Sequence, residues 1–200
     1  MKITNDSIGG KKVIFDTIID EIVGGASLNV TRLDNLTHND NVDKRWLKAG
    51  APVYFDHATR VAELCKTAKY LGGTSTAIRV YKEHHFKVGD FLNDGTNCSL
   101  IESIDSSNAA YDVLNVNSAL ATTGTVYFEG TVTGTNATLA YTPNGLLKND
   151  AWIYDGNASA EIVTMGTVRE DALTYFLPAL YKVALRGGTA GTGTSLITVN

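Results

Sequence analysis

Four histidines, two cysteines and scattered acids leave few ways to assemble a reactive site in this chain. His84 and His85 are adjacent. On a strand, neighbouring side chains point to opposite faces, so the two rings cannot share a metal ion in the usual way and are expected as one core and one surface residue. Asp56-His57 supplies half of a catalytic triad, but no serine sits in a nucleophile elbow, and turn chemistry accounts for Asp56. Asn93-Asp94-Gly95-Thr96-Asn97 offers oxygen ligands like part of a calcium loop, without the spaced acids and bidentate glutamate that such a loop needs. It is expected to be a turn. The run from Gly187 to Gly193 has the glycines of a phosphate loop, but no Gly-Lys-Ser/Thr follows and no strand-to-helix context surrounds it. It reads as the start of a linker, Gly187 to Ser195. Cys65 and Cys98 share no CxxC spacing and are expected as free thiols in small apolar positions. The nine tyrosines are dispersed and not interleaved with arginine, which argues against a base-stacking platform. These residues predict no enzyme, no cofactor and no metal.

The elements that would position such groups are mostly strands. Short apolar runs separated by Gly, Asp and Asn suit strands at 53–55, 61–69, 77–81, 90–92, 100–104, 111–116, 125–129 and 137–141. The run 61–69 also fits a helix, through Val61, Cys65 and Ala68. Regular short strands predict a mainly β chain, with a compact β-barrel or β-sandwich-like, tulip-like body. Residues 123–142 read as a hairpin arm, its bend at Gly130 to Asn136. Two helical segments flank the body. Over Val13 to Val23, Ile14, Ile18 and Ile22 lie at helical spacing beside Phe15 and Ile19, with Asp16, Asp20 and Glu21 opposite and Gly24-Gly25 as a stop; the β-branched content leaves a strand as the alternative. Over Arg169 to Leu185, Ala172, Leu173, Phe176, Leu180 and Ala184 share a side and Pro178 interrupts the run. Ser27 to Arg32 and Leu196 to Val199 are predicted as single short strands, the last pairing with this chain's sheet or a neighbouring subunit's.

A turn pattern recurs at Leu47 to Val53, Phe86 to Leu92 and Leu147 to Ile153, each with an apolar residue, a lysine and a tight turn feeding a strand. The chain thus divides into an N-terminal helix and extended arm (1–45), a β-rich body (46–168), and helical turns, linker and terminal strand (169–200).

The chain has 200 residues, long enough for a sizeable core without disulfide or metal, and 17 Lys and Arg against 21 Asp and Glu leave a formal charge of −4. That balance argues against nucleic acid or an anionic membrane as partner. Met1 to Lys12 lacks the apolar core of a signal peptide, and no run approaches about 18 apolar residues, so a soluble cytoplasmic chain is expected. Sequons at Asn5, Asn29, Asn35, Asn97, Asn136 and Asn157 record only a richness in Asn and Thr.

At Gly24-Gly25-Ala26-Ser27-Leu28-Asn29 and Leu47-Lys48-Ala49-Gly50-Ala51-Pro52-Val53 the sequence resembles the small capsid decoration and head-fibre proteins of tailed bacteriophages. The segment Tyr81-Lys82-Glu83-His84-His85-Phe86-Lys87-Val88-Gly89-Asp90-Phe91 resembles those of gut Bacteroides phages. The resemblance extends through Ser103-Ile104-Asp105, Tyr111-Asp112-Val113, Val168-Arg169-Glu170-Asp171-Ala172-Leu173 and Ile197-Thr198-Val199, and residues 123–142 depart from it. It implies a virion structural protein on the capsid exterior, assembled in the host cytoplasm. Its partners would be the major capsid protein and further copies of itself, as a homodimer or homotrimer.

Such a protein works by interface burial, and the expected capsid-contact element is the N-terminal segment, with Ile14, Phe15, Ile18 and Ile19 as apolar anchors beside Lys11 and Lys12. The alternative for the same residues is a helix packed on its own β-body. A second function, receptor or glycan binding from the virion surface, would need exposed aromatics; Trp46, Trp152, Tyr127 and Tyr141 are its candidates.

Overall fold

The computed structural model describes residues 7–8, 11–12, 14–34, 44–131, 134–135, 138–154, 156, 158–187 and 196–200. The chain is mainly β, with a closed six-stranded barrel and a curled sheet. The barrel is antiparallel and contiguous in sequence. Thr67–Gly73 pairs with Ala77–Val80, which pairs with Asp112–Val116, then Asn97–Asp105, Phe91–Asn93 and Val126–Glu129, and the last returns to Thr67–Gly73. Alternation fills its interior: Ile78 and Val80 on one strand and Leu114 and Val116 on the next are buried, with Leu92, Ile101 and Tyr127. Burying each such large side chain contributes about 1.5–3 kcal/mol relative to exposure.

The curled sheet takes its strands from either side of that stretch. Its order is Ala158–Ala160, Ala26–Leu28, Val61–Leu64, Pro52–Asp56, Gly145–Leu147, Ile162–Val168 and Leu196–Val199, with Phe15–Glu21 on the remaining edge of Ile162–Val168. Only Glu161 separates Ala158–Ala160, at one end of the path, from Ile162–Val168, next to the other end, so the chain itself curls the sheet back around Val53, Phe55, Leu64 and Ile162. The C-terminal strand lies parallel to Ile162–Val168 in the chain's own sheet.

Several expectations are met in place. The three turn repeats each precede a strand, and the first and third lie side by side, with Gly145 opposite Val53 and Ala151 opposite Leu47. The ambiguous run 61–69 is two strands, Val61–Leu64 in the curled sheet and Thr67–Gly73 in the barrel, with the crossing at Cys65 and Lys66. Pro178 does divide the C-terminal helical stretch, into a 3-10 turn at Glu170–Ala172 and a helix at Ala179–Leu185.

Other expectations are corrected. Phe15–Glu21 is a strand and not a helix. Its β-branched isoleucines resist a helix and fit a ladder, and pairing with Ile162–Val168 satisfies one edge of its backbone. Ser27 to Arg32 is a strand only at Ala26–Leu28, then turns into a 3-10 helix at Val30–Arg32, where Asn29 caps Thr31. Because Pro178 restarts the last helix, its buried face is Tyr181, Ala184 and Leu185, and Leu180 faces outward. Leu139 makes a single bridge to Gly130 where a strand was predicted. Within the 123–142 segment, the expected hairpin has Gly130 bridged antiparallel to Leu139 and the Ala140 N–H bonded to the Glu129 carbonyl at 3.0 Å, while Gly134–Thr135 pairs with Asn97–Asp105. The predicted linker at 188–195 and the sequons at Asn5, Asn35, Asn136 and Asn157 lie outside the described residues.

Candidate functional site

The titratable side chains with the most perturbed environments are internal. Asp112 occupies an inward position of its strand, in phase with Leu114 and Val116, and is 0% exposed. It accepts hydrogen bonds from Lys82 (2.9 Å), Lys44 (3.2 Å) and His84 Nε2 (2.9 Å). Lys44 also donates to Asp34 at 3.0 Å, so two ammonium groups meet two carboxylates. Burial alone would raise the Asp112 pKa, but the His84 hydrogen bond and the Lys44 charge hold it well below the usual carboxylate range.

Both imidazoles are neutral. The Phe86 N–H donates to His84 Nδ1 at 3.2 Å, which leaves the proton on the Nε2 that faces Asp112. His85 Nδ1 lies 2.6 Å from the Asp34 carbonyl oxygen and must donate to it. Its Nε2 then accepts from the Tyr175 hydroxyl at 3.3 Å, and the Tyr175 oxygen accepts the Lys48 N–H at 3.2 Å. Burial, together with the nearby Lys44 charge, lowers the pKa of His84 to about 4 and of His85 to about 3. The expected split into a core and a surface histidine is therefore corrected. The chain after Val80 leaves the ladder yet keeps its alternation, so Lys82, His84 and Phe86 stay buried in phase with Ile78 and Val80, and His85 is buried too.

A second ionic group joins barrel to curled sheet. Arg32 bonds to Glu63 (2.8 Å) and to Glu129, and lies over the Tyr141 ring at 4.4 Å; Lys66 bonds to Asp90 at 2.6 Å. Burial works against the Arg32 charge, but the Glu129 and Glu63 contacts outweigh it and raise its pKa. In the first group Asp112, Lys44, Lys82 and His84 are enclosed, whereas in the second Arg32 and Asp90 keep part of their side chains in solvent; the second group ties Glu63 of the curled sheet to Glu129 of the barrel. Among the described residues no three His, Cys, Asp or Glu side chains are placed to hold a metal ion.

The other motifs resolve as turns and thiols. Asp56 accepts from the Ala58 N–H (2.9 Å) and the Thr59 hydroxyl (2.8 Å), and Asp94 accepts from the Thr96 N–H (2.8 Å) and the Asn97 N–H (2.7 Å). Cys65 and Cys98 are buried, and neither forms a disulfide.

Two outward features remain. The first is the strand Phe15–Glu21: no described strand pairs with its outer edge, and every residue after Phe15 is exposed. Ile18 is 39% exposed and Ile19 66%, with Val23 at 86% just beyond. The predicted contact set therefore divides: Ile18 and Ile19 face solvent, whereas Ile14 and Phe15 pack on the core formed by Val168, Leu177, Tyr181 and Val199. Lys11 and Lys12 form a two-residue strand against Ser7–Ile8.

The second is a ribbon, Trp46–Leu47 against Ala151–Trp152. Leu47 and Ala151 point into the core, so the directly opposed Trp46 and Trp152 point away from it, with ring centroids 5.0 Å apart and edge to face. Tyr154 extends this ledge, 5.9 Å from Trp152. Of the four aromatics expected for glycan binding, Tyr127 is fully buried in the barrel, which removes it from the surface set, whereas Tyr141 is half-buried and stacks against Arg32 away from the two tryptophans. Tyr154 was missed because it carries no signal until Trp46 and Trp152 are seen to meet.

Compared with known proteins, the chain matches no family model, no curated protein and no solved structure. No described helix is long and apolar enough to cross a membrane.

Proposed function

We propose that this chain is a virion structural protein that attaches to a phage capsid, as a decoration protein or head-fibre base, with the strand Phe15–Glu21 as its contact element. The observation that carries the reading is the open edge of that strand, which presents Ile18, Ile19 and Val23 to solvent. A partner strand added there would complete the backbone ladder and cover the isoleucines. Asp16 and Asp20, the latter also accepting from the Thr164 hydroxyl, favour a basic partner face, whereas Glu21 is paired with Lys148. The sequence resemblance supplies the identity of that partner, the major capsid protein. A stable contact buries about 1,200–2,000 Å², and a homodimer or homotrimer would gain avidity on a symmetric lattice.

The test is co-sedimentation of the full chain with purified empty phage heads, beside the double variant Ile18→Lys/Ile19→Lys. Substitution is preferable to removing residues 1–24, because removal would also strip the ladder from Ile162–Val168. The native chain is expected in the pellet and the double variant in the supernatant, with the same melting temperature. A native chain left in the supernatant would sink the capsid role, and a variant that still pellets would place the contact elsewhere. Light scattering of the free chain reads the oligomeric state.

A further inference from the structure

We infer that the ledge made by Trp46, Trp152 and Tyr154 is a binding site for a pyranose oligosaccharide. Trp46 is 38% exposed and Tyr154 49%, so two of the three rings offer substantial apolar area to solvent on one side of a ribbon whose other side is sealed in the core. An isolated exposed aromatic needs no explanation, but three in contact form a patch. The C–H face of a sugar ring is the complement of such a surface: flat, weakly apolar and edged with hydroxyls.

The polar groups at the rim favour a hydroxyl-rich ligand over an apolar protein segment. Lys48 Nζ lies 5.9 Å from the Trp46 ring centre and 3.4 Å from Asp150 Oδ2, and both side chains are substantially exposed. Asp150 is itself oriented, because its Oδ1 accepts the Ala49 N–H at 2.8 Å. An ammonium and a fixed carboxylate side by side match the donor and acceptor needs of two vicinal hydroxyls. Arg45 lies over Trp152 and Tyr154, 5.5 and 5.6 Å from their ring centres, a cation–π contact that ties the two rings together.

The ledge is also braced. The Lys48 N–H bonds to the buried Tyr175 hydroxyl, and the Ile153 N–H bonds to the Arg45 carbonyl at 2.8 Å. Backbone bonds on both sides hold the aromatics in place before a ligand arrives, which lowers the ordering cost of weak sugar contacts. The inference does not depend on capsid attachment, since the ledge and the strand Phe15–Glu21 are different elements and can fail separately.

The chain contains two tryptophans, and both are in this ledge, so tryptophan emission reports on the site alone. The experiment titrates the full chain with cellohexaose, maltohexaose, laminarihexaose, chitohexaose, mannohexaose and an oligogalacturonate, at concentrations into the millimolar range. At least one is expected to shift or quench the emission saturably. Trp46→Ala should weaken that binding about tenfold, the equivalent of one lost aromatic contact. Asp150→Asn keeps an acceptor for Ala49 and the fold, and should weaken it by a smaller factor, read by calorimetry with the same sugar. No saturable response to any of the six sugars would overturn the inference. So would binding that Trp46→Ala and Asp150→Asn both leave unchanged.

Discussion

The barrel and the curled sheet are built from similar short strands, but they dispose of their edges differently. In the barrel every strand is paired on both sides, and the group sealed against its frame is ionic: Asp112 with Lys44, Lys82 and His84. In the curled sheet, among the described residues, the closure is incomplete: no strand pairs with the outer side of Phe15–Glu21, and its isoleucines face solvent. Closure removes the template for adding another chain, and an open edge supplies it. The difference separates a part of the molecule that must keep its shape from a part that can receive a partner.

If that division holds, substitutions inside the barrel should be costly and substitutions on the open edge nearly silent until a partner is present. Asp112→Ala leaves Lys44 and Lys82 buried without their shared carboxylate, and should destabilise by about 3–5 kcal/mol, lowering Tm by roughly 10 °C. Thermal unfolding followed by circular dichroism measures this; a loss no greater than that from breaking the exposed Lys148–Glu21 pair would undo the contrast.

Acid should find the same interior. His84 and His85 are held neutral, at about 4 and about 3, against 6.5 when unfolded, so the unfolded chain takes up protons that the folded chain refuses. Their contribution is complete above the unfolded value and is lost as pH falls from 6.5 toward the folded values. Between about pH 7 and pH 5 this amounts to roughly 2 kcal/mol for each ring. Asp112, whose pKa is depressed, adds its loss only below the ordinary carboxylate range. Urea unfolding at a series of pH values should show this slope, and His84→Gln should remove about half of it over that interval. An unchanged slope would mean that His84 is not held neutral by burial.

Gly166 tests the strand Phe15–Glu21 from its paired side. A Cβ there would stand 2.3 Å from the Thr17 carbonyl oxygen, a backbone atom with no rotamer to yield. Gly166→Ala should cost about 1–3 kcal/mol and speed amide exchange across 15–21, while amides of 77–80 and 112–116 keep their protection. Protection lost equally in both would mean that the two sheets unfold as one unit. At the bottom of the scale, Ile19→Lys alone should change stability by less than about 0.5 kcal/mol in urea unfolding.

Much of the fold is legible in the residues themselves. The turn repeats, the paired strands and the break at Pro178 follow from local residue types. Asp112 is legible too, since the alternation of Asp112, Leu114 and Val116 places a carboxylate on the buried face, and Ile78, Val80, Lys82, His84 and Phe86 continue a second such row. The N-terminal strand is only partly so. Its β-branched content speaks for a ladder, but Phe15–Glu21 is exposed on both faces after its first residue, so no alternation backs that signal against the helical spacing of the isoleucines. The aromatic ledge is half visible: both tryptophans stand out, but nothing in the residues between them shows that they face each other.

By itself the sequence determined that this chain is β-rich, where its tight turns lie and which phases of its strands are apolar, because turns and alternation are set by neighbouring residues. Only the tertiary structure decided which sheet each strand joins, which edge stays open, which charges are enclosed together and which aromatics meet. Those outcomes depend on backbone pairing between distant segments, and no local preference specifies the partner across such a distance.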